Sequence, residues 1–224
     1  MSLGLAIMLS DGIVLMADGR QTYPQAKESH TCDCIDKLEP IDVNSFAIPF
    51  GVTQATECAL KFLKKSWSPS LGRNHIKQLV DICVSDSWKY FLSKLAPDVD
   101  KDHETMRAAL IVAGLSEMGP YIVASLHGTN VRQPPLLIID SPLKFILLGG
   151  EKHNAEEYFI QQMENGLRGV KNESMDGPVN DVVNAVLFAG KSTIRHIEGL
   201  DSSIGGRIKF AVFREGYAPL KGNI

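Results

Sequence analysis

The alternation of hydrophobic and polar positions divides the chain into short strands and longer helices. Apolar runs at residues 3–9 and 13–17 flank an Asp-Gly turn, which predicts a hairpin buried on both faces. A second strand pair is predicted at 35–41 and 46–50. Further strands are predicted at 108–115, 121–126, 136–139, 145–148 and 207–213.

Helical spacing appears in two pairs of segments. Apolar residues at 55, 58, 59, 62 and 63, including Phe62, follow one buried helical stripe. The next helix is predicted to begin near Asn74 as its N-cap and to run towards Pro97. Two more helices are predicted, one carrying Ala155 to Gln162 and one spanning 179–197.

Helices come in consecutive pairs and strands in consecutive hairpins, which argues against alternating β-α-β winding. Strands that are apolar on both faces need cover on both sides. The sequence therefore predicts an α+β fold, a four-layer αββα sandwich of two antiparallel sheets flanked by helix pairs. With 224 residues, it is expected to form a single domain over 1–224.

Composition narrows the class of protein. Hydrophobic residues make up 44% and charged residues 22%, as in globular proteins, and the net charge of −3 argues against nucleic-acid or anionic membrane partners. No apolar run is long enough to span a bilayer, no secretory signal is evident, and the four cysteines do not make a disulfide framework. We expect a cytoplasmic protein.

Metal and phosphate sites find little support in the sequence. Cys32 and Cys34 resemble half a zinc site, but no second pair completes four ligands. The six histidines show no i, i+4 pair, and the Gly-Gly pairs lack phosphate-loop spacing. No cofactor and no metal is expected.

Three motifs carry a family resemblance. The chain resembles the proteasome family of N-terminal-nucleophile hydrolases in three stretches: Asp11 to Arg20 (DGIVLMADGR), Lys37 to Asp42 (KLEPID) and Phe50 to Ala55 (FGVTQA). On these motifs the chain is identified as a bacterial proteasome-like beta-type subunit.

The resemblance implies five catalytic residues. Ser2 would be the nucleophile, with its own α-amine as general base once Met1 has been removed. Lys37 would stabilise the developing alkoxide, Asp18 would hold Lys37, and the Gly51 N–H would donate to the oxyanion. Asp201 would order the surroundings of the nucleophile.

This chain also departs from the family pattern. Ile204 stands where a serine is common, Gly149-Gly150-Glu151 lacks the serine of a Gly-Ser-Gly, and three extra residues separate Asp18 from Lys37. Each candidate residue also has an ordinary structural explanation, such as an ion pair for Asp18 and Lys37.

The favoured hypothesis is hydrolysis of peptide bonds by a subunit that self-associates into a ring. The partners expected by analogy are a peptide or unfolded-protein substrate and an ATP-dependent unfoldase. Two alternatives remain open: a non-catalytic ring or assembly subunit, and a non-peptide amidase on the same fold.

Overall fold

The computed structural model describes residues 3–24, 29–33, 35–95, 106–128, 137–149, 153–168, 170 and 179–224. The strands within these residues, in chain order, are β1 (Gly4–Met8), β2 (Gly12–Ala17), β3 (Gln21–Pro24), β4 (Ser29–Cys32), β5 (Glu39–Pro40), β6 (Ser45–Gly51), β7 (Arg107–Ser116), β8 (Gly119–Gly128), β9 (Leu137–Ile139), β10 (Phe145–Leu148), β11 (Lys209–Arg214) and β12 (Leu220–Asn223). The helices are α1 (Thr53–Ser66), α2 (Arg73–Tyr90), α3 (Ala155–Leu167) and α4 (Asp181–Glu198).

Two five-stranded antiparallel sheets organise these elements. The first sheet has the strand order β10-β1-β2-β11-β12, and the second has the order β5-β6-β7-β8-β9. Strands β3 and β4 form a separate hairpin. The predicted α+β class, with two antiparallel sheets and four helices, is confirmed, and the arrangement fits a sandwich.

Three apolar clusters hold the elements together. One joins the first sheet to α3 and α4, with Leu5, Met16 and Phe159 fully buried. A second contains side chains from both sheets, such as Ile13 and Ile111. The third joins the second sheet to α1 and α2. Burial of this much apolar side-chain surface is the main force that stabilises the fold.

Local signals explain the helix bounds. The side chain of Asn180 caps α4 by accepting the N–H of Val183 at 2.9 Å. The predicted N-cap at Asn74 is wrong, because α2 begins at Arg73 after Gly72, whose extended backbone precedes the helix. The helix continues beyond Tyr90 as a π-helical segment, Phe91–Leu95.

The structure also differs from the predicted elements at four other places. Of the strand predicted at 35–41, only Glu39–Pro40 is paired in a sheet, opposite Phe46 and Ala47 of β6. The chain before it turns to other partners, since the Ile35 N–H donates to the Gly19 carbonyl. The polar segment after Arg20 forms the β3–β4 hairpin, and β12 was not predicted. Phe62 is 46% exposed although it follows the apolar spacing, since the stripe it was assigned to faces the sheet through Ala59 and Leu63.

Candidate active site

Four strands of the first sheet begin or finish at the same level: β2 and β10 end there, and β1 and β11 begin there. This place is called the site edge of the sheet. Gly4 of β1 lies opposite both Ala17 of β2 and Leu148 of β10, and Ala17 lies opposite Lys209 of β11. The described segments that continue from these strand ends contain Leu3, the Asp18–Arg20 turn, Gly149 and residues 199–208. The register therefore gathers parts of the chain that are far apart in sequence.

A buried ion pair lies at this edge. Lys37 Nζ is 2.9 Å from Asp18 Oδ1, and the two residues are 6% and 1% exposed. Lys37 also donates to the carbonyl of Arg20. The pair is isolated from solvent, so each charge depends on its protein partners.

Backbone groups complete the surroundings of Asp18. Its Oδ1 also accepts the N–H of Leu3 at 2.8 Å, and its Oδ2 accepts the N–H groups of Gly205 at 3.1 Å and Arg20 at 3.3 Å. A carboxylate with this many donors is stabilised in its ionised form. Asp18 thus connects Lys37 to three parts of the chain: the beginning of β1, the turn after β2 at Arg20, and the loop after α4 at Gly205.

Burial shifts the titration of both partners. Loss of hydration raises the pKa of Asp18, and the charge and hydrogen bond of Lys37 oppose this rise. Loss of hydration also lowers the pKa of Lys37, against the opposing effect of Asp18. The Lys37 ammonium consequently releases a proton more readily than an exposed lysine.

Arg20 fastens the loop after α4 to this site. Its guanidinium contacts Asp33 Oδ1 at 2.6 Å and Glu198 Oε1 at 2.9 Å. It also donates to the carbonyls of Ser202 and Ile204, each at 3.0 Å. The guanidinium group is planar and carries several N–H donors in fixed directions, so it can make these contacts at the same time.

Asp201 lies within the same loop but is not bonded to Asp18 or Lys37 in the described part of the chain. Its Oδ1 accepts the N–H of Ser203 at 2.8 Å and the Ser203 hydroxyl at 2.6 Å. Although burial favours a higher value, these bonds, the positive charge of the chain's N-terminus and, last, the nearby His153 hold the pKa of Asp201 below its usual range. Asp201 is thus ionised at neutral pH.

Gly51 ends β6, on the second sheet. It has a φ of +89°, and a Cβ there would lie 1.9 Å from the carbonyl oxygen of Arg107, so only glycine fits. The neighbouring Phe50 packs against Gly4, because a Cβ on Gly4 would meet the Phe50 ring at 2.3 Å. Gly51 therefore adjoins Phe50, which contacts Gly4, the first residue of β1.

Some predicted residues cannot be placed. Ser2, the expected nucleophile, lies outside the described residues, as do Cys34 of the possible zinc pair and Gly150 and Glu151 of the glycine turn. Within the described residues, no group of three or more His, Cys, Asp or Glu side chains is arranged to hold a metal ion. No helix among them has the length and apolar character needed to cross a membrane.

Several residues of this site were not predicted from the sequence. Arg20 stood inside the quoted motif, two residues after Asp18, which was a usable signal. Glu198 and His153 carried no usable signal, because the site residues that they contact, Arg20 and Asp201, lie far from them in sequence. Asp33 lies 13 positions from Arg20, but no sequence pattern pairs the two residues.

A solved structure resembles the whole described fold. It is the Anbu complex from Pseudomonas aeruginosa, whose structure is of a helical assembly; the match covers 99% of this chain and 86% of that chain, with 16% identity and a TM-score of 0.68. At this identity the likeness shows the fold.

The sequence comparisons give no family. No protein-family model matches the chain, and no curated protein matches it. The identification as a bacterial beta-type subunit of the proteasome family is therefore wrong: the motifs that suggested it are not accompanied by a family match, and the matching structure is that of an Anbu complex.

Proposed function

We propose that this protein is an amide-bond hydrolase acting on peptides, with Ser2 as an N-terminal nucleophile after removal of Met1. The observation that carries the proposal is the hydrogen bond from the Leu3 N–H to Asp18 Oδ1, the same oxygen that binds Lys37 Nζ. Ser2 is covalently joined to that Leu3 nitrogen, so its backbone begins one peptide unit from the buried ion pair.

The chemistry follows from these groups. The α-amine of Ser2 takes the hydroxyl proton as Oγ bonds to the substrate carbonyl carbon, and the oxyanion accepts from the Gly51 N–H. The C–N bond then breaks as the amine returns the proton to the leaving nitrogen. Water, deprotonated by the same amine, then attacks the acyl carbon. The ester C–Oγ bond breaks, and the amine returns the proton to Ser2 Oγ.

Lys37 has a specific electrostatic part in this scheme. Its ammonium favours the developing alkoxide and lowers the pKa of a neighbouring amine. Asp18 fixes the position of the ammonium, and Asp201 orders the loop on the other side.

The layer order αββα belongs to the same proposal, with one domain over 1–224. Its support is the three apolar clusters, one between the sheets and one between each sheet and its helix pair.

Self-association is the second part of the proposal. The likeness to a complex that forms a helical assembly supports it, and light scattering of the purified protein tests it. A non-catalytic assembly subunit is the alternative function that this likeness favours. The ring arrangement and the ATP-dependent unfoldase stay predictions.

The decisive experiment combines mass and activity. Intact mass and N-terminal sequencing are expected to show Ser2 as the first residue, and fluorogenic peptides should be hydrolysed. Ser2→Ala should lower the rate by at least about 100-fold, and Lys37→Ala should do so as well, whereas the exposed Lys61→Ala should match the wild type.

Other outcomes would overturn the proposal. A retained Met1, or full activity in Ser2→Ala, excludes the N-terminal mechanism. Hydrolysis of small amides without hydrolysis of peptides would favour an amidase, and inactivity with intact self-association would favour the assembly subunit.

A further inference from the structure

The second oxygen of Asp201 has a partner that the proposed chemistry does not use. Both bonds from Ser203 go to Oδ1, whereas Oδ2 faces His153, whose Nε2 lies 4.0 Å away. The side chains of His153 and Asp201 are 29% and 16% exposed, so the pair is shielded from much of the solvent. Charges at this distance interact appreciably when they are shielded in this way.

The chain path at the start of α3 brings His153 to this position. Strand β10 ends at Leu148, opposite Gly4, and α3 begins at Ala155. Between them Asn154 has a left-handed backbone, with φ 53° and ψ 37°, and its side chain makes no capping hydrogen bond. Asparagine is one of the few residues other than glycine that adopt this conformation readily, so the local sequence is compatible with the turn that precedes α3.

The loop that carries Asp201 also reaches the Lys37 ion pair. Its Gly205 N–H donates to Asp18 Oδ2, and Arg20 binds the carbonyl oxygens of Ser202 and Ile204. Asp18 and Arg20 therefore hold the later part of the loop. At its beginning the Asp201 N–H donates to the Ile197 carbonyl at 2.7 Å, and the Asp201 side chain faces His153.

The other charged groups nearby are already engaged or belong to the start of α3. At the end of α4, Arg195 pairs with Glu198 at 2.6 Å. The first turn of α3 carries Glu156 and Glu157, both exposed. Two positive charges lower the pKa of Asp201: that of the chain's N-terminus and, with a smaller effect, that of His153, which is the described side chain that faces its Oδ2.

We propose that His153 is a positioning residue, which holds Asp201 through Oδ2 and so fixes residues 199–206 against the Asp18–Lys37 pair. The inference rests on the proposed function for its effect on catalysis, although the contact itself does not require it. Protonated imidazole attracts the carboxylate, whereas an uncharged replacement of similar size does not.

The test uses one readout that depends on activity and one that does not. With peptide substrates, His153→Ala and His153→Gln should lower kcat by about 10- to 100-fold with little change in KM. In an Asp201→Asn background the same changes should have no further effect, since the partner is already lost. The exposed His75→Ala, on α2, should behave as the wild type.

The second readout is the titration of the Asp201 carboxyl group, followed by NMR. Serine is labelled with ¹⁵N, and the chemical shift of the Ser203 amide is recorded as a function of pH. Because this N–H donates to Asp201, its chemical shift reports protonation of the carboxyl group. Loss of the cation should move the titration midpoint to higher pH in both His153 variants and not in His75→Ala.

The outcomes separate the two proposals. An inactive wild type with a shifted midpoint overturns the proposed function and supports the His153–Asp201 contact. Two results would overturn the positioning role of His153. One is an unchanged titration midpoint of Asp201 in the His153 variants, and the other is a further loss of kcat when a His153 variant is combined with Asp201→Asn.

Discussion

Leu3 and Asp18 are joined by two hydrogen bonds: the Leu3 N–H donates to Asp18 Oδ1 at 2.8 Å, and the Asp18 N–H donates to the Leu3 carbonyl at 3.0 Å. The side-chain bond ends on the oxygen that also binds Lys37. The beginning of β1 is thus fixed relative to a buried ammonium.

Removing the charge of Asp18 should destabilise the protein. Asp18→Asn keeps an acceptor for Leu3 but leaves Lys37 buried without a counter-charge, at an expected loss of about 3–5 kcal/mol in the free energy of unfolding. Urea unfolding at pH 7 measures it. Lys37→Met in the Asp18→Asn background should recover part of the loss, and no recovery would contradict this account.

Arg20 should not be replaceable by lysine. A lysine ammonium cannot contact Asp33, Glu198 and two carbonyl oxygens at once, so Arg20→Lys should lose most of the stability that Arg20→Ala loses, about 1–3 kcal/mol. Hydrogen exchange should also accelerate at Ile204 and Gly205. Hydrogen exchange at wild-type rates in Arg20→Lys would show that the Arg20 contacts do not hold the loop after α4.

Two glycines with positive φ allow a matched comparison. Gly51→Ala forces a Cβ into the Arg107 carbonyl, whereas Gly216, with a φ of +79°, has no atom within 4 Å of its expected Cβ. Gly216→Ala should cost about 1 kcal/mol from backbone strain alone, and Gly51→Ala clearly more. Equal urea midpoints would contradict the close approach at Gly51.

The stabilising effect of Glu198 should depend on pH. Burial favours a higher value, but the hydrogen bonds from Arg195 and the Gly206 N–H outweigh it, so the pKa of Glu198 is lowered. A lowered folded-state pKa gives stability that is full above the ordinary glutamate value, about 4.3, and is lost as the pH falls through the folded value.

The difference in unfolding free energy between wild type and Glu198→Gln should therefore be constant from pH 7 to about pH 5.5 and should shrink in more acidic solution. Urea unfolding across this range measures it. A difference that grows on acidification would have the wrong sign.

The sequence alone determined the order and type of most elements. Apolar runs and helical spacing are local properties, so the strands β1, β2, β7 and β8 and the four helices were predictable. The segment at 35–41 shows the limit of this signal: its apolar residues favour a strand, but only backbone partners decide how much of it pairs, and β6 pairs with two residues.

The candidate site followed partly from motifs that suggested Asp18 and Lys37 together. The rest was decided by tertiary structure, because the partners are far apart along the chain: Arg20 and Glu198 are separated by 178 positions, and Arg20 and Ile204 by 184. No local pattern specifies such pairs. They form because the register of β1, β2, β10 and β11 brings four chain segments to one sheet edge, where buried charges require partners.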